Sequence, residues 1–204
     1  MQIQMAGATK VARETSGGAM QAEVPVGSER VFDGRLIGVR VDTVRLPDGS
    51  LRQREVAEHP GAVAILPVLP EGEVVLVRQY RHAVGRTLLE VPAGTREPDE
   101  RTDACARREL AEETGYRAGS LRELVRFYVS PGWANEELVV YVATDLTAGE
   151  ARPEDDERLE VVPVRPEDVP PLIAAGEIGD AKTIVALTAY LGMRLEPGQP
   201  RTAE

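Results

Sequence analysis

Three carboxylates, Glu109, Glu112 and Glu113, fall at relative positions 0, 3 and 4 within the segment from Gly94 to Tyr116, GTREPDERTDACARRELAEETGY. Residues three and four apart share one face of a helix, and like charges so placed weaken an isolated helix by roughly 0.2–0.5 kcal/mol per pair. A divalent cation offsets that repulsion directly. Carboxylate oxygens are hard ligands suited to Mg²⁺ or Mn²⁺, and a carboxylate-held Mg²⁺ that keeps part of its water shell is the usual partner of phosphate groups. Composition argues against zinc, because His59 and His82 are the only histidines, Cys105 is the only cysteine, and no ligand-spaced cluster joins them. A second acidic run, Glu154-Asp155-Asp156-Glu157, sits in a predicted loop and by itself reads as a solvated acidic turn.

The elements that must position these groups can be read from periodicity and turn chemistry. The carboxylates lie on a helix that starts between Asp99 and Asp103, with Asp99 and Thr102 competing as cap, and stops at Gly115, a residue suited to the left-handed position that closes helices. Before it come a buried strand from Ala62 to Leu69, a turn at Pro70-Glu71-Gly72, a strand from Val74 to Tyr80, and a short strand from Leu88 to Val91 that leads into a Pro92-Ala93-Gly94 loop. After it, strands are predicted over Leu121–Val129, Leu138–Val142 and Leu159–Val164, then helices around Glu167–Ala175 and Ala181–Met193. Strands and helices interleaved in this way indicate an α/β sandwich with a mixed sheet.

Ahead of that domain, alternating stretches between Arg30 and Glu58 surround the turn Pro47-Asp48-Gly49 and read as a small antiparallel β-sheet. A sheet of that size is not stable alone, so its apolar face is expected to pack on another element such as a second subunit. The organisation is thus a polar tail over 1–25, the small N-terminal sheet over 26–60, the main domain over 61–195 and a polar C-terminal tail over 196–204.

The 204 residues carry 24 basic and 34 acidic side chains, a net charge of −10, which offers no basic stripe for nucleic acid or an anionic membrane. A phosphorylated partner must then be met locally, by metal and a few arginines. No segment has the pattern of a signal peptide or the length of a membrane span, and the single Cys105 can form no internal disulfide, so a cytoplasmic protein is expected. Cys105, in the middle of the predicted helix, reads as a small buried apolar residue.

Gly94, Glu100, Arg108, Glu109, Leu110, Glu112, Glu113 and Gly115 together fit the pattern G-x5-E-x7-R-E-U-x-E-E-x-G-U, where U is bulky and apolar and is here finally Tyr116. This resembles the signature of the Nudix hydrolases, which cleave a nucleoside diphosphate linked to another moiety. The resemblance implies an α/β/α sandwich and assigns Glu109 and Glu113 as the main metal ligands. It makes Glu112 a further ligand or a base beside the metal, Arg108 the residue that orients the cluster, and the Ala93 carbonyl an additional ligand. Glu100 is expected to brace the helix. The acidic loop resembles one that supplies another ligand or the general base, with Glu157 the better match for the ligand and Asp155 for the base.

Strings outside the box, Glu58-His59-Pro60-Gly61, Arg78-Gln79-Tyr80-Arg81, Glu90-Val91-Pro92-Ala93-Gly94 and Ser130-Pro131-Gly132, are similar to the ADP-ribose pyrophosphatase subgroup. That similarity implies Mg²⁺-dependent hydrolysis of ADP-ribose to AMP and ribose 5-phosphate, with Mn²⁺ able to substitute. It also implies Arg54 and Arg81 near the phosphates or adenine, Pro131 in the substrate loop, Glu136 near the terminal ribose, and a homodimer with exchanged N-terminal sheets. Trp133 or Tyr80 could stack on a base. Two alternatives stand beside it: a Nudix hydrolase of another nucleoside diphosphate sugar such as GDP-mannose, and a Nudix-fold nucleotide sensor without catalysis.

Overall fold

The computed structural model describes residues 22–153 and 157–192. Three strands come first, β1 (Val24–Asp33), β2 (Gly38–Arg45) and β3 (Leu51–Glu58), paired antiparallel in the order β1-β2-β3. The β2–β3 turn is the expected one: Gly49 takes a left-handed φ of 84°, and the Asp48 carboxylate accepts from the Ser50 amide at 2.9 Å. Val24 and Pro25, expected in the tail, already belong to β1. All ten residues of β1 are exposed, apolar Val24, Val26, Val31 and Phe32 among them.

The main unit follows with β4 (Ala62–Pro67), β5 (Val74–Arg81), β6 (Arg86–Glu90), β7 (Ala93–Thr95), α1 (Thr102–Thr114), β8 (Arg117–Tyr128), β9 (Glu137–Thr147), β10 (Leu159–Val164), α2 (Val169–Ala175) and α3 (Ala181–Leu191). They build two sheets, β10-β5-β6 and β7-β4-β9-β8, in which β4 and β9 run parallel and every other pair is antiparallel.

Successive side chains of a strand point to opposite faces, and β4 and β9 are apolar on both. Val63 and Ile65 join Val139, Tyr141 and Ala143 against Cys105, Ala106 and Leu110 of α1. Their alternates, Ala62, Ala64, Leu66, Leu138, Val140 and Val142, pack with Leu76 of β5, Leu89 of β6 and Ala186 and Leu187 of α3. Helices therefore cover the mixed sheet from both sides, giving the α/β/α sandwich expected from the sequence, with the small antiparallel sheet attached.

The two units join at few points. The Ala57 amide donates to the Trp133 carbonyl at 2.8 Å, the Asn135 amide to the Ala57 carbonyl at 3.2 Å, and the His59 amide to the Asn135 side chain at 2.8 Å. His59 Nδ1 accepts from the Gly61 amide at 3.1 Å, so this histidine serves the junction, as a structural histidine should.

Candidate active site

α1 starts at Thr102, within the expected window from Asp99 to Asp103, but neither candidate cap serves. Arg101 is its N-cap and no side chain caps it; Asp99 sits in the preceding turn at φ 61°, and the Thr102 hydroxyl pairs with the Tyr141 hydroxyl at 2.7 Å. Packing onto β9 claims Thr102, while Glu100, just ahead of the helix, accepts from the Glu97 amide at 3.1 Å and from Arg108. At the other end, Gly115 closes the helix in the left-handed region at φ 77°, as predicted.

Arg108 organises the acidic face. Its Nε and Nη2 donate to the two oxygens of Glu100, each at 3.0 Å, and its Nη1 donates to Glu109 at 2.6 Å and Glu112 at 3.1 Å. One guanidinium thus tethers three carboxylates, using the fork geometry that suits arginine to this role. These bonds hold Glu100 down to about 2, well below the ordinary carboxylate value. The same bond to Glu100 pushes the Arg108 guanidinium up. Glu100 is the brace that the sequence suggested.

Glu113 lies deeper. It is 3 % exposed and accepts from the Ala93 amide at 3.2 Å. Burial, then the charges of Glu157 and Glu109, push its carboxyl up to about 8. Burial also raises Glu109, despite Arg108. Carboxylates crowded in this way cannot all ionise without added positive charge, which is the electrostatic condition a divalent cation meets.

The backbone approaches closely here. A Cβ built on Gly94 would fall within the Glu109 carboxylate, so the box glycine is required for the space it leaves. The donors are all hard oxygens. The nearby Cys105 thiol is buried and pushed up to about 12, first by desolvation and then by its hydrogen bond to Glu100, so it is an inert thiol. This donor set fits Mg²⁺ or Mn²⁺ and not a soft metal. Among the described residues no three His, Cys, Asp or Glu side chains already converge as an ion cage, because Arg108 draws Glu109 and Glu112 toward itself.

Arg81 is anchored from behind. Its Nε and Nη2 donate to Glu90 at 2.9 and 2.7 Å, and Lys182 also pairs with Glu90, which is 1 % exposed. Asp180 binds Lys182 at 3.0 Å and caps α3 by accepting from the Thr183 amide at 3.0 Å. Burial pushes Glu90 upward, but the two cations outweigh it and leave the carboxyl below its usual range. Truncating one member of such a buried pair leaves an uncompensated charge, typically a loss of about 3–5 kcal/mol.

A cavity of about 380 Å³ opens on this cluster, lined by Arg81, Ala93, Gly94, Arg108, Glu109 and Glu157 together with Thr95, Glu97, Arg35 and Leu36. Five sequence-predicted residues thus meet there: Arg81, Ala93, Arg108, Glu109 and Glu157. Glu113 lies buried beside Ala93, and Glu112 lines a different hollow on the outer side of α1. Asp155 lies outside the described residues.

Two further candidates, Arg54 and Pro131, line a separate cavity of about 390 Å³ between β3 and the 131–135 loop, with Trp133 and Asn135. In the single chain Arg54 pairs with Glu23 and does not reach the acidic cluster. Glu136 stands in neither cavity and faces His59 Nδ1 at 4.0 Å. Tyr80 is exposed in a shallow hollow beside Glu157. Sequence reasoning missed Arg35, Glu90 and Lys182. Arg35 has no motif around it. Glu90 was quoted within a string, but its partner Lys182 is far along the chain, and only the folded structure joins them.

The Nudix domain family matches residues 58–187, and a nucleoside diphosphate sugar hydrolase N-terminal domain matches residues 25–57. The ADP-ribose pyrophosphatase of Bacillus subtilis is 42 % identical over 174 residues, covering 84 % of this chain and 94 % of that protein. The methanol dehydrogenase activator of Bacillus methanolicus is 36 % identical over 172 residues, covering 83 % and 93 %. A solved ADP compounds hydrolase superposes with a TM-score of 0.76 at 24 % identity, covering 86 % of this chain and 96 % of its own, a likeness of fold. The chain belongs to the Nudix hydrolase family. It is an enzyme of that family, a Nudix hydrolase.

Proposed function

We propose that this Nudix hydrolase cleaves the diphosphate bond of ADP-ribose to give AMP and ribose 5-phosphate, using Mg²⁺ or Mn²⁺ in its place. The carrying observation is the cluster itself: Glu109 against the Gly94 backbone, Glu109 and Glu112 both tied to Arg108 of α1, and Glu113 bound by the Ala93 amide. The ADP-ribose subgroup is supported by the 42 % identity to an ADP-ribose pyrophosphatase over most of both chains.

In this reading Glu109, Glu113 and Glu157, with the Ala93 carbonyl, hold the metal, and Glu112 assists. The metal supplies Lewis acidity at the phosphate oxygens and acidifies water. The protein does the rest. Hydrolysis adds one water across the P–O–P bridge, so one phosphorus gains the water oxygen, the other departs with the bridging oxygen, and one proton must be taken up. Asp155, in the acidic loop beside Glu157, is the candidate acceptor for that proton. Arg108 keeps the carboxylates in register, and Arg81, fixed by Glu90, offers its remaining guanidinium nitrogen to a phosphate oxygen.

The exposed apolar face of β1, the small sheet and the distance of Arg54 and Pro131 from the acidic cluster support a homodimer with exchanged N-terminal sheets. In it, the Arg54 and Pro131 cavity of one protomer would complete the partner's site, and Glu136 would lie near the terminal ribose. The test is product analysis after incubation with ADP-ribose, GDP-mannose and a nucleoside triphosphate, each with and without Mg²⁺. AMP released from ADP-ribose only with metal is expected. Preferential cleavage of GDP-mannose would move the substrate assignment, and no cleavage of any would remove the hydrolytic reading. Glu113→Gln should retain the fold and lose turnover by about two orders of magnitude or more; a variant keeping most activity would remove Glu113 from the metal site.

A further inference from the structure

The cationic groups around the main cavity are unequally engaged. Arg108 is held by Glu100, Glu109 and Glu112, and Arg81 by Glu90. Arg35, from the turn between β1 and β2, lines the same cavity, yet among the described residues it makes no ion pair or hydrogen bond. The turn that carries it is closed by the Gly34 amide donating to the Ile37 carbonyl at 3.0 Å, and next to it Leu36, 57 % exposed, also borders the cavity. In a chain of net charge −10, an arginine without an ion pair among the described residues lines a cavity that also holds Glu97, Glu109 and Glu157, the cavity that the proposed function assigns to the diphosphate.

We propose that Arg35 is a substrate-contacting residue that binds a non-bridging phosphate oxygen of the nucleoside diphosphate, so that the N-terminal sheet completes the main site through its β1–β2 turn. This rests on the diphosphatase reading above and extends it to a residue outside the box. The guanidinium fork suits a phosphate oxygen pair, and its freedom from a protein carboxylate means that binding substrate breaks no existing ion pair. Because the diphosphate carries its charge in the ground state, the contact contributes to binding more than to the bond-breaking step.

The experiment compares wild type, Arg35→Ala, Arg35→Lys and the control Arg45→Ala, which removes the same charge from the same sheet outside the cavity. Steady-state kinetics are run on whichever nucleoside diphosphate sugar the wild type cleaves. Arg35→Ala is expected to raise KM about tenfold with kcat within about twofold, Arg35→Lys to recover part of the loss, and Arg45→Ala to match wild type. KM values for Arg35→Ala and Arg45→Ala that coincide would overturn the assignment. If the wild type cleaves no such substrate, it is the hydrolytic reading that fails. Calorimetric binding of inorganic pyrophosphate then decides on Arg35 alone: equal affinity in wild type and Arg35→Ala overturns it, and a weaker one in the variant supports it.

Discussion

Arg108 and Gly94 show how a motif position acts through space as much as through charge. Gly94→Ala would place a methyl group where the Glu109 carboxylate lies, so the carboxylate must swing away. The expected outcome is a fall in kcat on the order of 100-fold with little change in melting temperature; an active Gly94→Ala enzyme would show that Glu109 can serve from another position. Glu100 makes a pH prediction. Its folded value of about 2 lies below the ordinary 4.5, so its contribution to stability is complete above the unfolded value and is lost as pH falls through the folded one. Melting temperatures measured from about pH 5 down to about pH 2 should therefore decline less steeply for Glu100→Gln than for wild type. Parallel curves would mean that the Arg108 bond adds nothing in the folded state. At this scale the shared helix of Glu109, Glu112 and Glu113 was legible from spacing and residue type, whereas their separation was not: Glu109 lines the main cavity, Glu112 a different hollow, and Glu113 lies buried. Nor was Glu90 legible: a buried carboxylate in a strand becomes intelligible only when Lys182 and Arg81 are seen on it.

Among the elements, α1 matters most, because a single helix carries the site on one side and core on the other. Leu110 is fully buried against Val63, Ile65 and Val139, so Leu110→Ala should cost about 2–5 kcal/mol in denaturant unfolding. A cost below 1 kcal/mol, roughly that of a surface change, would mean that α1 is held by its polar face. The helix end was readable from Gly115 and its start from the window between Asp99 and Asp103, but its cap was not, since the Thr102 hydroxyl is claimed by Tyr141 of β9. Strand β8 was expected from Leu121 and begins at Arg117; it is an edge strand, mostly exposed, with a register shift between Glu123 and Val125, and so shows little apolar alternation. Ala93 and Gly94, expected in a loop, belong with Thr95 to the three-residue β7, because they become strand only through their ladder to β4.

For the molecule as a whole, the proposed homodimer rests on the N-terminal sheet. With Val24, Val26, Val31 and Phe32 exposed on β1, light scattering should report twice the mass of one chain, and Phe32→Asp should shift the population toward monomer and lower activity. A wild type that is monomeric at micromolar concentration would remove the exchanged dimer. The α/β/α layering was legible from the order and apolar character of the strands, whereas the division of the predicted site residues between two cavities was not, because it depends on how the small sheet sits against the 131–135 loop.

The parallel pairing of β4 with β9 has a kinetic meaning. Ala62 pairs with Leu138 and Val63 with Val139, closing a loop of about 75 residues that contains α1, β7 and every box carboxylate. The hairpin of β8 and β9 can form locally, but β4 must wait for it with apolar residues on both faces and no partner on that edge. During synthesis, the catalytic segment is thus complete in sequence well before the strand that fixes its floor has emerged. Folding of the site therefore waits on a long-range strand, and until β9 arrives β4 is an apolar stretch exposed to misassembly.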